Sequence, residues 1–262
     1  MTFNPLFAGF GDHAGFRAVT YVARDDWSAS SHLAHLAGAF DTAYERIRDK
    51  RIRVSAVSQV LLDRLSPHGA GIVVPNGVDT TTWGPARPTP KALEGLPRPL
   101  AMYTGTIDSR LSIPALRSLA STLVDGSIVL VGPSDATAAA RIRAALPDVV
   151  FFSPVGQEEL AGLVRSADVC VIPHVRSALT EAMSPLKLYE YVAAGRPVAA
   201  TDLPPMRGVH PSVVLCESDA MFGTAAAQAL HAGPLSEFER EDFMVSNTWE
   251  ARCQRILSLA VA

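Results

Sequence analysis

Residues 184–201 read SPLKLYEYVAAGRPVAAT. Ser184 is a residue type that caps helices, Pro185 suits a first helical position, and Gly195 suits the residue just past a last turn. The stretch predicts a short helix over 184–194 that hands over directly to a buried strand over 197–200. The same pairing recurs on both sides of it. Apolar, β-branched runs lie at 99–104 (PLAMYT), 127–131 (SIVLV), 148–152 (DVVFF), 168–172 (DVCVI) and 213–216 (VVLC). Helical patterns fill the gaps at 112–123, 135–146, 157–166 and 219–231. Continuous apolar strands separated by such helices are what a parallel sheet covered on both faces requires. Six of them predict a complete doubly wound, Rossmann-like α/β domain with a nucleotide site across residues 98–217.

Further out the pattern shortens. Strands at 17–23, 53–57 and 71–74 alternate with helices at 31–50 and 58–66, a smaller α/β unit of three strands. A Pro- and Gly-rich segment, 84–99 (GPARPTPKALEGLPRP), reads as a linker, and 247–261 (NTWEARCQRILSLAV) as one amphipathic helix. The expected division is 1–84, 85–236 and 237–262, the last a helical segment returning to the N-terminal part.

The 262 residues are 48% hydrophobic and 19% charged, a balance that builds a core rather than a disordered chain. Net charge is -3, so nucleic acid is not an electrostatic partner. Cys170, Cys216 and Cys253 are odd in number and widely spaced, which points to a reducing compartment. No apolar run approaches the ~20 residues of a membrane span, and the first residues lack the basic start of a secretory signal. These features predict a cytoplasmic protein. Lysines number 3 against 20 arginines, so each lysine invites inspection.

One of the three is Lys187. The loop 173–183, between a strand end and the 184–194 helix, lies where open α/β sheets bind ligands, above their carboxyl edge. The first backbone N–H groups of that helix, at Ser184, Leu186 and Lys187, would face an anion there. Lys187 adds a full charge in a first turn, where a cation is otherwise unfavourable. Glu190 follows by three residues, roughly 5 Å along the axis, about the step from a diphosphate to the ribose hydroxyls of one nucleotide. The plain alternative is an i,i+3 ion pair on an exposed face.

The segment resembles the donor-binding stretch of retaining glycosyltransferases of the GT-B fold, of the glycosyl transferases group 1 type, with their S-P-x-K-x-x-E-Y-x-A-x-G-x-P-V pattern. The likeness continues in PNGVD (75–79), YTGT (103–106), LVGP (130–133), SADVCVIP (166–173) and TWEAR (248–252), in family order, from about residue 17 to 260. The resemblance implies a hexose moved from a nucleoside diphosphate sugar to a small-molecule, glycan or lipid-linked acceptor, with no separate cofactor and no metal. It implies that Lys187 and the 184–187 backbone (Ser184, Pro185, Leu186) bind the diphosphate, Lys187 also easing the departing charge, and that Glu190 binds the ribose. Gly105 and Thr106 would admit the pyrophosphate or sugar, Arg110 would add a cation, and the base would rest near Phe152 to Val155.

Two departures stand out. Relatives often carry a second glutamate eight residues before the Glu190 position, where this chain has Ala182, so the neighbouring Glu181 becomes the candidate sugar contact. The front resembles only the last three strands of the family's acceptor domain. Asp25, Asp26, Trp27 and Ser58 then remain as acceptor-side candidates, with Asp25 or Asp26 able to bind or deprotonate a hydroxyl. His13 could stand for a missing histidine, and His174 could approach the donor sugar. An unpaired sheet edge predicts a homodimer or a partner subunit. Two other readings stay open: a non-catalytic, glycosyltransferase-like subunit that binds nucleotide or a partner, and a different nucleotide-sugar enzyme of the same architecture, such as an epimerase-like hydrolase. A dehydrogenase does not fit, because no G-x-G-x-x-G opens the domain.

Overall fold

In the computed structural model, which describes residues 1–262 apart from the side chain of Ser31, contacts divide the chain into two units. The first comprises Met1–Gly77, Ser177–Pro185 and Trp249–Ala262; the second comprises Val78–Arg176 and Leu186–Thr248.

In the first unit, strands β1 (Thr20–Ala23), β2 (Arg53–Ala56) and β3 (Gly71–Val73) form a parallel sheet in sequence order. Beyond β1, Thr2 makes an isolated parallel bridge to Tyr21. Helices α1 (Pro5–Phe10), α2 (Ala37–Asp49) and α3 (Gln59–Leu65) accompany the sheet. Tyr21, Val54, Ala56, Phe40, Ile47 and Leu61 make its core. The helix expected over 31–50 is continuous only from Ala37, because Leu33 leaves helical geometry at φ -115°, ψ 20°.

In the second unit, α4 (Thr80–Trp83) precedes β4 (Leu100–Thr104), α5 (Ile113–Thr122), β5 (Ser127–Val131), α6 (Ala136–Ala145), β6 (Val150–Phe152), α7 (Gln157–Ser166) and β7 (Val169–Ile172). After α8 (Ala178–Ala182), which belongs to the first unit, come α9 (Leu186–Ala193), β8 (Val198–Thr201), β9 (Val213–Cys216), α10 (Phe222–Ala232) and α11 (Glu237–Ser246). The six strands are all parallel, in the order β6-β5-β4-β7-β8-β9. Successive side chains of a strand take opposite faces. Leu100 and Met102 therefore join one core, with α7, α9 and α11, while Ala101 and Tyr103 join the other, with α5, α6 and α10. The sheet order reverses between β4 and β7, the switch point at which ligands of such sheets bind.

Two boundaries differ from the sequence expectation. The units part at Gly77 and Val78, and residues 84–99 are no free linker: Leu93 is buried with Leu100 and Met102 in the second unit, and Leu96 packs against that core. The 237–262 region is two helices rather than one. A capping box on Ser236 and Glu239 starts α11, which stays in the second unit, and α12 (Trp249–Val261) joins the first. Arg53, Arg255 and Arg252 tie the first unit together by donating to the carbonyls of Ala260, Val73 and Asn76. No helix is long and apolar enough to cross a membrane.

Candidate functional site

The switch point opens because β4 and β7 pair over only two positions, Ala101 with Val169 and Met102 with Cys170. Past them the Thr104 N–H donates instead to the Tyr191 hydroxyl, at 2.7 Å. Gly105 then turns the chain at φ +118°, a conformation that side chains rarely adopt. A Cβ there would lie 2.9 Å from Lys187 Nζ and 3.1 Å from its Cε, so the turn is packed directly on the lysine. Gly132, at φ +139°, backs the turn, since a Cβ on it would meet the Gly105 carbonyl oxygen at 2.4 Å.

Lys187 stands in the first turn of α9, where the backbone N–H groups of Leu186, Lys187 and Leu188 meet no acceptor among the described residues. Its ammonium donates to the Tyr103 hydroxyl at 2.6 Å and lies 3.9 Å from that ring's centroid. No ion pair joins Lys187 to Glu190, and the Glu190 carboxylate takes no hydrogen bond among the described residues, so the plain i,i+3 pairing is not what these two groups do. Burial pushes the Lys187 ammonium down to about 7; Arg110 adds to the fall, while Glu190 and Asp108 oppose it. Burial also pushes the Glu190 carboxyl up to about 7, against the pull of Lys187. A cation and a carboxylate, each desolvated and neither compensating the other at contact, are groups prepared for a ligand.

Arg110 is held by Asp108, with its Nε at 2.9 and 3.0 Å from the two carboxylate oxygens and Nη2 at 2.7 Å from one of them. Burial works to raise Asp108, but these bonds outweigh it and keep the carboxyl below its usual range. Arg110 thus reaches the site as half of a fixed pair rather than as the lone cation expected. His174 is fully buried just past β7, with Nε2 3.4 Å from the Tyr103 hydroxyl and Nδ1 without a partner. Burial, then Lys187 and Arg110, hold it well below the ordinary imidazole range, so it is neutral. Phe152 and Val155, the expected base platform, pack against the core beside β6.

Ser184 was expected to cap α9, but the helix begins at Leu186 and Ser184 packs in the first unit with Pro185. Its hydroxyl accepts from the Asn76 backbone N–H at 3.2 Å, and its carbonyl accepts from the Asn76 side chain. Glu181 lies in α8, also in the first unit, one residue past Thr180 of a capping box with Ser177.

On the acceptor side, Asp26 is buried and committed. It caps the turn Trp27–Ala29, accepting from the Ser28 N–H at 3.1 Å and the Ser28 hydroxyl at 2.8 Å, and pairs with Arg64 at 3.6 Å. Those contacts give Asp26 a structural role in this turn. Asp25 is exposed beside it. Ser58 caps α3 and donates to the Ala182 carbonyl, and His13 lies on the surface against Phe7. Sequence reasoning missed Tyr103, Tyr191 and Asp108. The first two carried a signal, since a tyrosine inside a buried strand or helix needs a partner for its hydroxyl.

Known proteins share this arrangement. The sequence profile of the family described as "Glycosyl transferases group 1" matches residues 102–232, half of the chain, from β4 to the end of α10. A Bacillus subtilis (strain 168) protein named as a teichuronic acid biosynthesis glycosyltransferase, TuaH, is 29% identical over 137 residues, 50% of this chain and 34% of its own length. The chain therefore spans about a third of that curated relative. Among solved structures, sucrose-phosphate synthase from Thermosynechococcus elongatus superposes with a TM-score of 0.67 at 20% identity, over 92% of this chain and 66% of that one. Anabaena Alr3699/HepE, solved in complex with UDP and glucose, gives 0.67 at 14% identity, over 98% and 73%. A UDP-forming trehalose-phosphate synthase from Burkholderia xenovorans gives 0.70 at 12%, over 98% and 71%. At these identities the structures speak for the fold, which is α/β with parallel sheets of the GT-B kind. With a switch-point crevice built from the Gly105 turn, Lys187 and Glu190, and a profile that spans all of them, the chain belongs to the glycosyl transferases group 1 family.

Proposed function

We propose that the chain acts as a glycosyltransferase, moving a hexose from a nucleoside diphosphate sugar to an acceptor hydroxyl with retention at the anomeric carbon. The observation that carries this reading is the convergence on one crevice of the desolvated Lys187 ammonium, the open N–H groups of α9 and the Gly105 turn. An anion there meets the Lys187 ammonium, whose protonated form its charge favours, together with a helix dipole. Glu190, one turn on and without a hydrogen bond, suits a pair of vicinal hydroxyls such as those of ribose. As the glycosidic bond breaks, charge grows on the departing diphosphate, and Lys187 with the helix terminus stabilises it. The anomeric carbon passes through an oxocarbenium-like centre that an acceptor hydroxyl attacks from the same face, its proton passing to the departing diphosphate oxygen. The UDP and glucose named with Anabaena Alr3699/HepE support a UDP-linked hexose as the first donor to try.

Calorimetric titration with UDP, GDP, ADP and dTDP tests the reading. One of the four should bind saturably, with Lys187→Ala weakening it tenfold or more, the scale of a hydrogen bond to a charged group. Glu190→Ala should weaken the nucleotide but leave free pyrophosphate unaffected. Absence of binding to all four would overturn the donor assignment.

A further inference from the structure

We propose that Tyr103 is the positioning residue of the donor site: its ring and hydroxyl hold the Lys187 ammonium against the Gly105–Thr106 turn, ready for a diphosphate. The inference rests on the donor reading above and adds to it a residue that touches neither nucleotide nor sugar.

A lysine side chain is a charge on a flexible four-carbon stem, and ordering it costs rotamer entropy. Here that ordering is done before a ligand arrives. The ammonium is seated over the Tyr103 ring, bonded to its oxygen, and walled by Gly105, where even a methyl group would collide with it. Tyr103 cannot drift, because it is fully buried in β4.

The hydroxyl is fixed in direction as well as in place. Its proton goes to the Thr106 carbonyl at 3.0 Å, and one lone pair takes Lys187 at 2.6 Å. The remaining lone pair faces His174 Nε2 at 3.4 Å, an arrangement that suits a neutral imidazole carrying its proton on Nε2. By holding the Thr106 carbonyl, the hydroxyl also orders the turn, whose Thr106 N–H has no acceptor among the described residues.

The choice of partner matters. A carboxylate in this place would neutralise the lysine and have to be displaced by the incoming phosphate. Tyr103 is neutral, since burial raises its hydroxyl above the usual range, so the lysine's charge is left for the ligand. The nearby carboxylate, Asp108, is already bound by Arg110. The titratable and charged groups around Lys187 are therefore Tyr103, Asp108 and Arg110 from the β4 side, His174 after β7 and Glu190 on its own helix.

The test is calorimetric titration of the full chain with UDP, or whichever of the four diphosphates binds, and with the matching nucleoside, using wild type, Tyr103→Phe, Lys187→Met and the double variant. Tyr103→Phe should keep the wild-type circular dichroism, weaken the diphosphate about five- to tenfold, and leave the nucleoside unchanged. The alkaline limb of its binding profile should move to lower pH, because the ammonium has lost an acceptor. The double variant should bind as Lys187→Met does. Lys187→Arg, which keeps the charge but not the shape, should also lose most of the affinity, and it reads the same point if Tyr103→Phe does not fold. Wild-type affinity in Tyr103→Phe or in Lys187→Arg, or an equal loss for diphosphate and nucleoside, would overturn the positioning role while leaving the donor reading intact. Failure of the wild type to bind any diphosphate would instead overturn the donor reading, and this inference with it.

Discussion

Lys187 and Glu190 face neutral pH with opposite difficulties. The folded protein gives up the lysine's proton near pH 7 against an ordinary value of 10.5, and keeps the glutamate's proton to near pH 7 against an ordinary value of 4.5. Between 4.5 and 7 the unfolded chain releases the Glu190 proton while the folded one retains it, so wild type loses stability as pH rises through that window. Between 7 and 10.5 the unfolded chain holds more protons at Lys187, so that contribution regains stability as pH rises. Glu190→Gln should therefore match wild type near pH 4.5 and exceed it by about 1–2 kcal/mol at pH 8, measured by urea denaturation. A variant no more stable at pH 8 than at pH 5, relative to wild type, would show that the carboxylate is not desolvated. A gain in stability from deleting a polar group that binds ligand is the usual mark of a site built for function at the expense of the fold. Lys187 and Glu190 were legible in the sequence because they share one short helix, where spacing alone fixes their separation. The setting of Asp26 was not legible for the complementary reason: its partners Ser28 and Arg64 include a residue 38 positions on, which no local pattern reveals.

At the scale of elements, α9 and β4 work as a pair. Pairing between β4 and β7 stops after Met102, and the Tyr191 hydroxyl on α9 replaces it for the Thr104 N–H. Tyr191→Phe leaves that buried N–H without an acceptor and should cost about 1–3 kcal/mol, with loss of nucleotide affinity because the Gly105 turn hangs from Thr104. The change is small enough that a denaturation curve resolves both parts. Helix α11 is anchored differently, by Arg240, which is 6% exposed and donates to the carbonyls of Trp83, Gly84 and Ala193 while pairing with Glu237. Arg240→Ala strips three carbonyls, two of them buried, of their donor and should cost about 3 kcal/mol or more in stability without touching the crevice. Most helices of the chain and all six strands of the second unit were visible from period alone; α1, α4, α8 and α11 were not. The first three are six, four and five residues long, below the length at which a hydrophobic period can be seen, and α11 is set by a capping box that precedes a mostly polar run.

For the whole molecule, the two units have separate cores, and the residues proposed to hold the nucleotide belong to the second. Saturation with the bound nucleotide at about a hundred times its Kd should stabilise the folded state by about 2.7 kcal/mol. Hydrogen exchange should report that gain chiefly in β4, β7 and α9, with β1–β3 less affected; protection concentrated in β1–β3 would place the nucleotide elsewhere. What the amino-acid order determined by itself was whatever repeats over a few residues: the alternation of strand and helix, the parallel sheet it implies, the helix stop at Gly195, and Lys187 and Glu190 on one helix. What only the tertiary structure decided was which distant groups meet. It set Tyr103 against Lys187 across 84 residues and His174 beside Tyr103 across 71, placed Ser184 on Asn76 instead of on its own helix, and drew residues 84–99 into a core of the second unit. The order of strands in a sheet, and where two neighbours part, are results of packing the whole chain, and no run of neighbouring residues carries them.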